Sequence, residues 1–143
     1  RSPVIGEHGD SQVQLFSQTL VNSQKLKVTS EQGQRIREEL QTWFVRFNRL
    51  NVQRTTGWTT GVGISRLVNC LLQDDLSLTI GSTNLQGEYG LRNISIGVPI
   101  LVNKKGIQEV VDWNLDADER NAFKKSATKI RMLIEENEAI FVK

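Results

Sequence analysis

A chain of 143 residues is long enough for one compact domain with its own core and too short for two comfortable ones. It is 38% hydrophobic and 24% charged, as globular chains are, and its 18 Lys and Arg are interleaved with 16 Asp and Glu for a net charge of +2, which leaves no concentrated basic face for nucleic acid. No apolar run approaches the roughly 20 residues that span a bilayer, no signal peptide is recognisable, and the single cysteine excludes an internal disulfide, so the expectation is a cytoplasmic protein without a membrane partner.

In chain order, Val4 and Ile5 read as a short strand entering a glycine-bounded loop, Gly6-Glu7-His8-Gly9-Asp10. Val13, Leu15 and Phe16 continue as an extended or short helical segment. Thr29 or Ser30 can cap the first helix, because either side chain accepts a bond from an orphan backbone N–H. Ile36, Leu40, Trp43, Phe44, Phe47 and Leu50 recur at three- and four-residue steps and share one helical face. Arg35, Arg37, Glu38, Glu39, Arg46 and Arg49 fall on the solvated side. The stretch from Thr55 to Gly61, rich in glycine and threonine, predicts a break or kink. Ile64, Leu67, Val68, Leu71 and Leu72 then form a second helical row ending at Asp74-Asp75, with Cys70 inside it as a buried structural thiol.

Beyond this point the period becomes two. Leu76, Leu78 and Ile80 alternate with Ser77 and Thr79, and Ile94, Ile96, Val98, Ile100 and Val102 mark a longer strand. Asn103-Lys104-Lys105-Gly106 predicts a hairpin turn, its basic pair solvated and Gly106 free to take positive φ, with Ile107 to Trp113 returning. Pro99 removes a ladder donor, which predicts an edge strand or a bulge. Asp116 and Glu119 form a capping-box pattern before a last helix whose buried stripe is Phe123, Ala127, Ile130 and Ile134. Helices, an antiparallel hairpin and a final helix make an α+β fold, helices packed on antiparallel strands, with residues 1–143 as one domain.

The one histidine, His8, lies in the glycine-bounded loop. Histidine suits proton exchange near neutrality, and flanking glycines let backbone approach a ligand closely. From the residues alone, an incidental loop histidine and an acid–base group both remain open. One His and one Cys cannot make a zinc site, so no metal is expected, and Ser11 lacks the nucleophile-elbow setting a serine hydrolase needs.

Val4-Ile5-Gly6-Glu7-His8-Gly9-Asp10-Ser11 resembles the active-site histidine loop of the L-lactate, L-2-hydroxyacid and malate dehydrogenases. Gly57-Trp58-Thr59-Thr60, then Gly87-Glu88-Tyr89-Gly90-Leu91 with Ile96-Gly97-Val98-Pro99, then Lys104 to Ile107 with Leu115-Asp116 and Lys125-Ser126-Ala127, resemble later stretches of that family in the same order. The resemblance implies the lactate/malate dehydrogenase C-terminal domain fold and an NAD-dependent oxidoreductase of 2-hydroxy and 2-oxo acids, with lactate preferred over malate. It implies that His8 exchanges the substrate's hydroxyl proton, that Thr59 (or Thr60) lines the substrate pocket, that Val62 packs near the nicotinamide, and that Glu7, Gly6, Gly9 and Asp10 hold the loop. The family's GxGxxG turn is absent, as are its lid arginine, its histidine-orienting carboxylate and its substrate-clamping arginine. The expectation is therefore a catalytic half that lacks the NAD-binding Rossmann half, is inactive alone, and associates into a homo-oligomer through apolar surface such as Trp43, Phe44 and Phe47. A non-catalytic assembly domain that keeps the fold is the alternative.

Overall fold

The computed structural model describes residues 1–51 and 57–141. In chain order they form β1 (Val4–Ile5), β2 (Val13–Gln14), a 3-10 turn at Phe16–Gln18, β3 (Leu20–Val21), β4 (Gln24–Lys25), α1 (Ser30–Arg49), α2 (Gly57–Leu71), β5 (Ser77–Gln86), β6 (Arg92–Asn103), β7 (Gly106–Val110) and α3 (Ala117–Phe141). Strands β5, β6 and β7 make an antiparallel sheet in that order, and β1–β2 and β3–β4 are short antiparallel pairs. The arrangement is α+β, as the patterning predicts.

The core is built on one face of β6. Ile94, Ile96, Val98, Ile100 and Val102 are all buried, and Leu85, Ile5, Val13, Leu15, Leu115, Phe123 and Ala127 join them. Fully burying one such side chain stabilises by about 1.5–3 kcal/mol. Thr79, Gly81 and Thr83 of β5 pair with Ile100, Val98 and Ile96, so small residues share the core face of β6. The alternation in β5 is present with its polarity reversed. Leu78 and Ile80 pair with Leu101 and Pro99 on the other face and stand exposed.

Pro99 departs from expectation, because β6 is the central strand and not an edge. The reason lies in where its missing donor would point. The Pro99 carbonyl accepts the Val111 N–H at 2.9 Å, so Pro99's ladder groups face the β7 side just past the last ladder pair, Ile100 with Val110. No bond to β5 is lost, and the ladder irregularity with β7 falls two residues on, between Leu101 and Val102. The returning strand is shorter than the predicted Ile107–Trp113, ending at Val110. There the Tyr89 phenol takes over, donating to the Val111 carbonyl at 2.8 Å and accepting the Trp113 N–H at 3.0 Å. Burial pushes its pKa up to about 12, the Asp112 charge adding and the Trp113 N–H opposing.

Helix starts follow the predicted chemistry. Thr29 accepts the Gln32 N–H and Gln32 returns a bond to the Thr29 N–H, a reciprocal cap on α1. Asp116 and Glu119 do the same for α3, at 2.8 and 3.3 Å. The hairpin turn forms with Gly106 at φ +91°, and Lys104 pairs with Asp74 at the surface. Phe123 and Ala127 are buried, Ile130 is half-buried, and Ile134 is exposed. The predicted interruption is present but falls earlier: α1 ends at Arg49, and Gly57 to Gly61 form the first turns of α2. Thr55 and Thr56 lie outside the described residues, as does the side chain of Phe44. Helix α2 buries no residue: Ile64, Leu67, Val68 and Leu71 are all exposed, as is Leu72 just past its end, and Cys70 is half-buried against the core. On α1 the predicted stripe is only partly covered: Ile36 and Trp43 are exposed, Leu40 and Phe47 half-buried, and Leu50 just past its end is exposed. Among the described residues, no helix is long and apolar enough to cross a membrane.

Candidate functional site

The loop carrying His8 is anchored to β6 and α3. Gly6 and Gly97 exchange backbone bonds of 2.8 and 3.1 Å, an isolated antiparallel bridge that extends β6 sideways. A Cβ on Gly97 would lie 2.8 Å from the Gly6 carbonyl oxygen, and Gly6 itself sits at φ +94° with the Ser126 hydroxyl where its own Cβ would point. Glycine at both positions is what lets the strands approach. One residue on, the Glu7 N–H donates to Ser126 Oγ at 2.7 Å, and Ser126 is fully buried on α3.

The Glu7 carboxylate turns back into the loop. It accepts the Ser11 N–H at 3.2 Å, the Ser11 hydroxyl, and the Lys129 ammonium at 3.2 Å. Lys129 also pairs with Asp10, so one ammonium from α3 holds carboxylates on both sides of His8. Partial burial works to raise the Glu7 pKa, but the Ser11 and Lys129 bonds outweigh it and hold the carboxyl below its usual range. Lys129 likewise lowers Asp10, and the two carboxylates raise Lys129.

His8 itself is exposed at the apex of this loop. It borders a cavity of about 540 Å³, whose wall includes Ile5, Gly6, Glu7, Gln12, Ser82, Ser95, Gly97 and Ile130. The loop's two carboxylates, Glu7 and Asp10, are both committed to Lys129. The arrangement presents an imidazole on a fixed backbone at the mouth of a partly apolar hollow, which is what a group exchanging protons with a small bound molecule requires.

The structure separates the remaining predicted site residues from this hollow. Thr59 and Val62 lie one turn apart on α2; Thr59 is exposed, and neither lines the His8 cavity. Val62 instead borders a second hollow of about 500 Å³ with Gly57, Trp58, Gly61, Ser65 and Arg66. Glu7, Gly6, Gly9 and Asp10 all belong to the anchored loop, as the motif implies. Two anchoring residues were given no role by the motifs: Ser126, which falls in the family-like Lys125-Ser126-Ala127 stretch, and Lys129, which falls in none. Ser126 had a local signal: it follows Phe123 by one turn and precedes Ala127, a hydroxyl on the buried stripe. Lys129 had none. Among the described residues, no group of three or more His, Cys, Asp or Glu is placed to hold a metal ion.

Comparison with known proteins agrees with the geometry. The family model for the alpha/beta C-terminal domain of lactate/malate dehydrogenase matches residues 1–141. The chain is 35% identical over 127 residues to the malate dehydrogenase of Halobacterium salinarum, covering 89% of this chain and 41% of that protein. It is 29% identical over 137 residues to the L-lactate dehydrogenase of Bacillus caldolyticus, covering 92% of this chain and 43% of the relative. The crystal structure of Cryptosporidium parvum malate dehydrogenase superposes with a TM-score of 0.87 at 27% identity, over 97% of this chain and 46% of that one. The chain thus spans less than half the length of the proteins it matches.

Proposed function

The chain belongs to the lactate/malate dehydrogenase family, as its alpha/beta C-terminal domain, and from that membership we propose that it is the substrate-binding, proton-transferring half of an NAD-dependent L-2-hydroxyacid dehydrogenase. The observation that carries the reading is His8, the chain's one histidine, held at the edge of a hollow on a loop fixed from both sides. In this role His8 takes the proton of the substrate's 2-hydroxyl as the carbon becomes a carbonyl, and returns it in the reverse direction. A positioned general base contributes about 10²–10⁴-fold.

The described residues do not fit the cofactor's phosphates. Gly57, Gly61 and Gly63 lie within α2, which follows another helix, and no glycine-rich turn among the described residues leads from a strand into a helix N-terminus. The reading therefore assigns NAD to a dinucleotide-binding half outside them, and predicts that this chain binds NADH only weakly. Calorimetry giving micromolar affinity or better, roughly −8 kcal/mol, would contradict it. Thr59 belongs to the substrate pocket and Val62 to its nicotinamide side in this proposal, both completed by that other half. The relatives divide between malate and lactate dehydrogenases, so malate stands level with lactate as substrate, whatever the motif resemblance prefers.

The test is the full-length enzyme with His8→Asn, followed by stopped-flow with pyruvate and with oxaloacetate. Single-turnover hydride transfer should fall at least about 10²-fold on the better substrate, with NADH binding retained. Equal rates in the two proteins would remove His8 from the chemistry, and the ratio between the two oxo acids in the wild type names the substrate.

A further inference from the structure

We infer that Lys129 and Ser126 on α3 are positioning residues for His8, acting as a two-point clamp on the loop that carries it. The inference rests on the acid–base role proposed for His8. Its structural basis is that the loop's fixed contacts lie on either side of the histidine and not on it. Ahead of His8, the Glu7 N–H ends on the buried Ser126 hydroxyl at 2.7 Å. After it, Asp10 ends on Lys129, and Lys129 reaches back to Glu7 at 3.2 Å. Ser11 closes the loop from inside by giving its N–H and its hydroxyl to the same Glu7 carboxylate, and lies 3.3 Å from Ser126 Oγ.

The chemistry of the clamp follows from its charges. Two carboxylates flanking one exposed imidazole would repel each other and open the loop; a single ammonium between them makes the closed form the favourable one. Ser126 does a different job. With no exposure to water, its oxygen is the partner left for the Glu7 N–H, and removing it strands a backbone donor. Ser126 lies on the helix stripe that also buries Phe123 and Ala127, and Lys129, one turn on, flanks it half-exposed, so the histidine's position is referred to the packed core through Ser126. Proton transfer needs its groups within hydrogen-bond reach, and a misplacement of about 1 Å can cost about a hundredfold.

The test uses the full-length enzyme with Lys129→Met, Lys129→Arg and Ser126→Ala, with Lys125→Met as a control on an exposed neighbour. Lys129→Met should lower kcat between about ten- and a hundredfold while KM moves little, and Lys129→Arg should restore most of it. Residue-resolved amide exchange should show Ser11 exchanging about tenfold faster in Lys129→Met, with the α3 amides unchanged. Ser126→Ala should accelerate exchange at Glu7 itself. If His8→Asn abolishes turnover but Lys129→Met matches Lys125→Met in both kcat and Ser11 exchange, the clamp is refuted. A rise in KM with kcat intact refutes it too, since that is the mark of a substrate contact. If His8→Asn turns over like the wild type, the proposed function fails instead, and the exchange measurement judges the clamp independently.

Discussion

The two halves of this chain use the same kind of apolar periodicity to opposite ends. In β6 and the first half of α3 the apolar positions are sealed: Val98 is 0% exposed, Phe123 2%. In α2 the row is just as regular, yet Ile64 is 59% exposed and Val68 46%. Periodicity says which residues share a face and is silent on what covers it. The sealed half holds the histidine loop. The unsealed half, together with Leu78 and Ile80 on the outer face of β5, offers apolar surface that the described residues leave uncovered.

The sharpest way to break this comparison is to remove a large side chain from each half. Phe123→Ala should cost about 3–5 kcal/mol, because the ring is enclosed and packs against Tyr89 at a centroid distance of 5.0 Å. Chemical denaturation of the chain measures it, and a loss under about 1 kcal/mol would mean that the sealed half is not the seat of stability.

Acid should act next, and on the sealed half. Glu7 has a folded pKa below its usual 4.5, so its contribution is present above that value and disappears as pH falls through the lowered one. Lys129 is raised above 10.5, so its contribution is present below that value and disappears as pH rises through the raised one. The pair therefore predicts a stability plateau between those limits. Glu7→Gln should lower the plateau by about 1 kcal/mol and flatten the acid limb. Denaturation midpoints across pH read both effects, and an unchanged acid limb in the variant would detach Glu7 from the loop's stability.

The smallest expected effect is in the other half. Leu67→Glu should change folding stability, read by chemical denaturation, by no more than about 0.5 kcal/mol, since Leu67 is already 41% exposed. A loss comparable to Phe123→Ala would erase the distinction between the halves.

What the residues disclose in advance follows the same division. Caps are local chemistry, so the Asp116–Glu119 box could be read directly, and the hairpin at Gly106 likewise. Strand alternation located β5 but not its polarity, because the face is chosen by register with β6 and by nothing within β5. Pro99 misleads for the same reason: whether its missing donor matters depends on which neighbour it faces. The histidine loop was legible as a motif. Its fastening was not, since Ser126 and Lys129 lie 115 residues or more from the groups they bind.

That distance has a consequence for how the protein is made. Loop closure over so long a span costs conformational entropy that only the assembled core offsets. Synthesis runs from the amino terminus, so the histidine loop leaves the ribosome long before Ser126 and Lys129 exist to receive it. Glu119 repeats the arrangement, taking the Ser17 N–H and hydroxyl across 102 residues. The earlier-made partner in each pair is thus among the last to reach its final shape. A nascent chain interrupted before α3 would carry the whole histidine motif without the partners that give the loop its form.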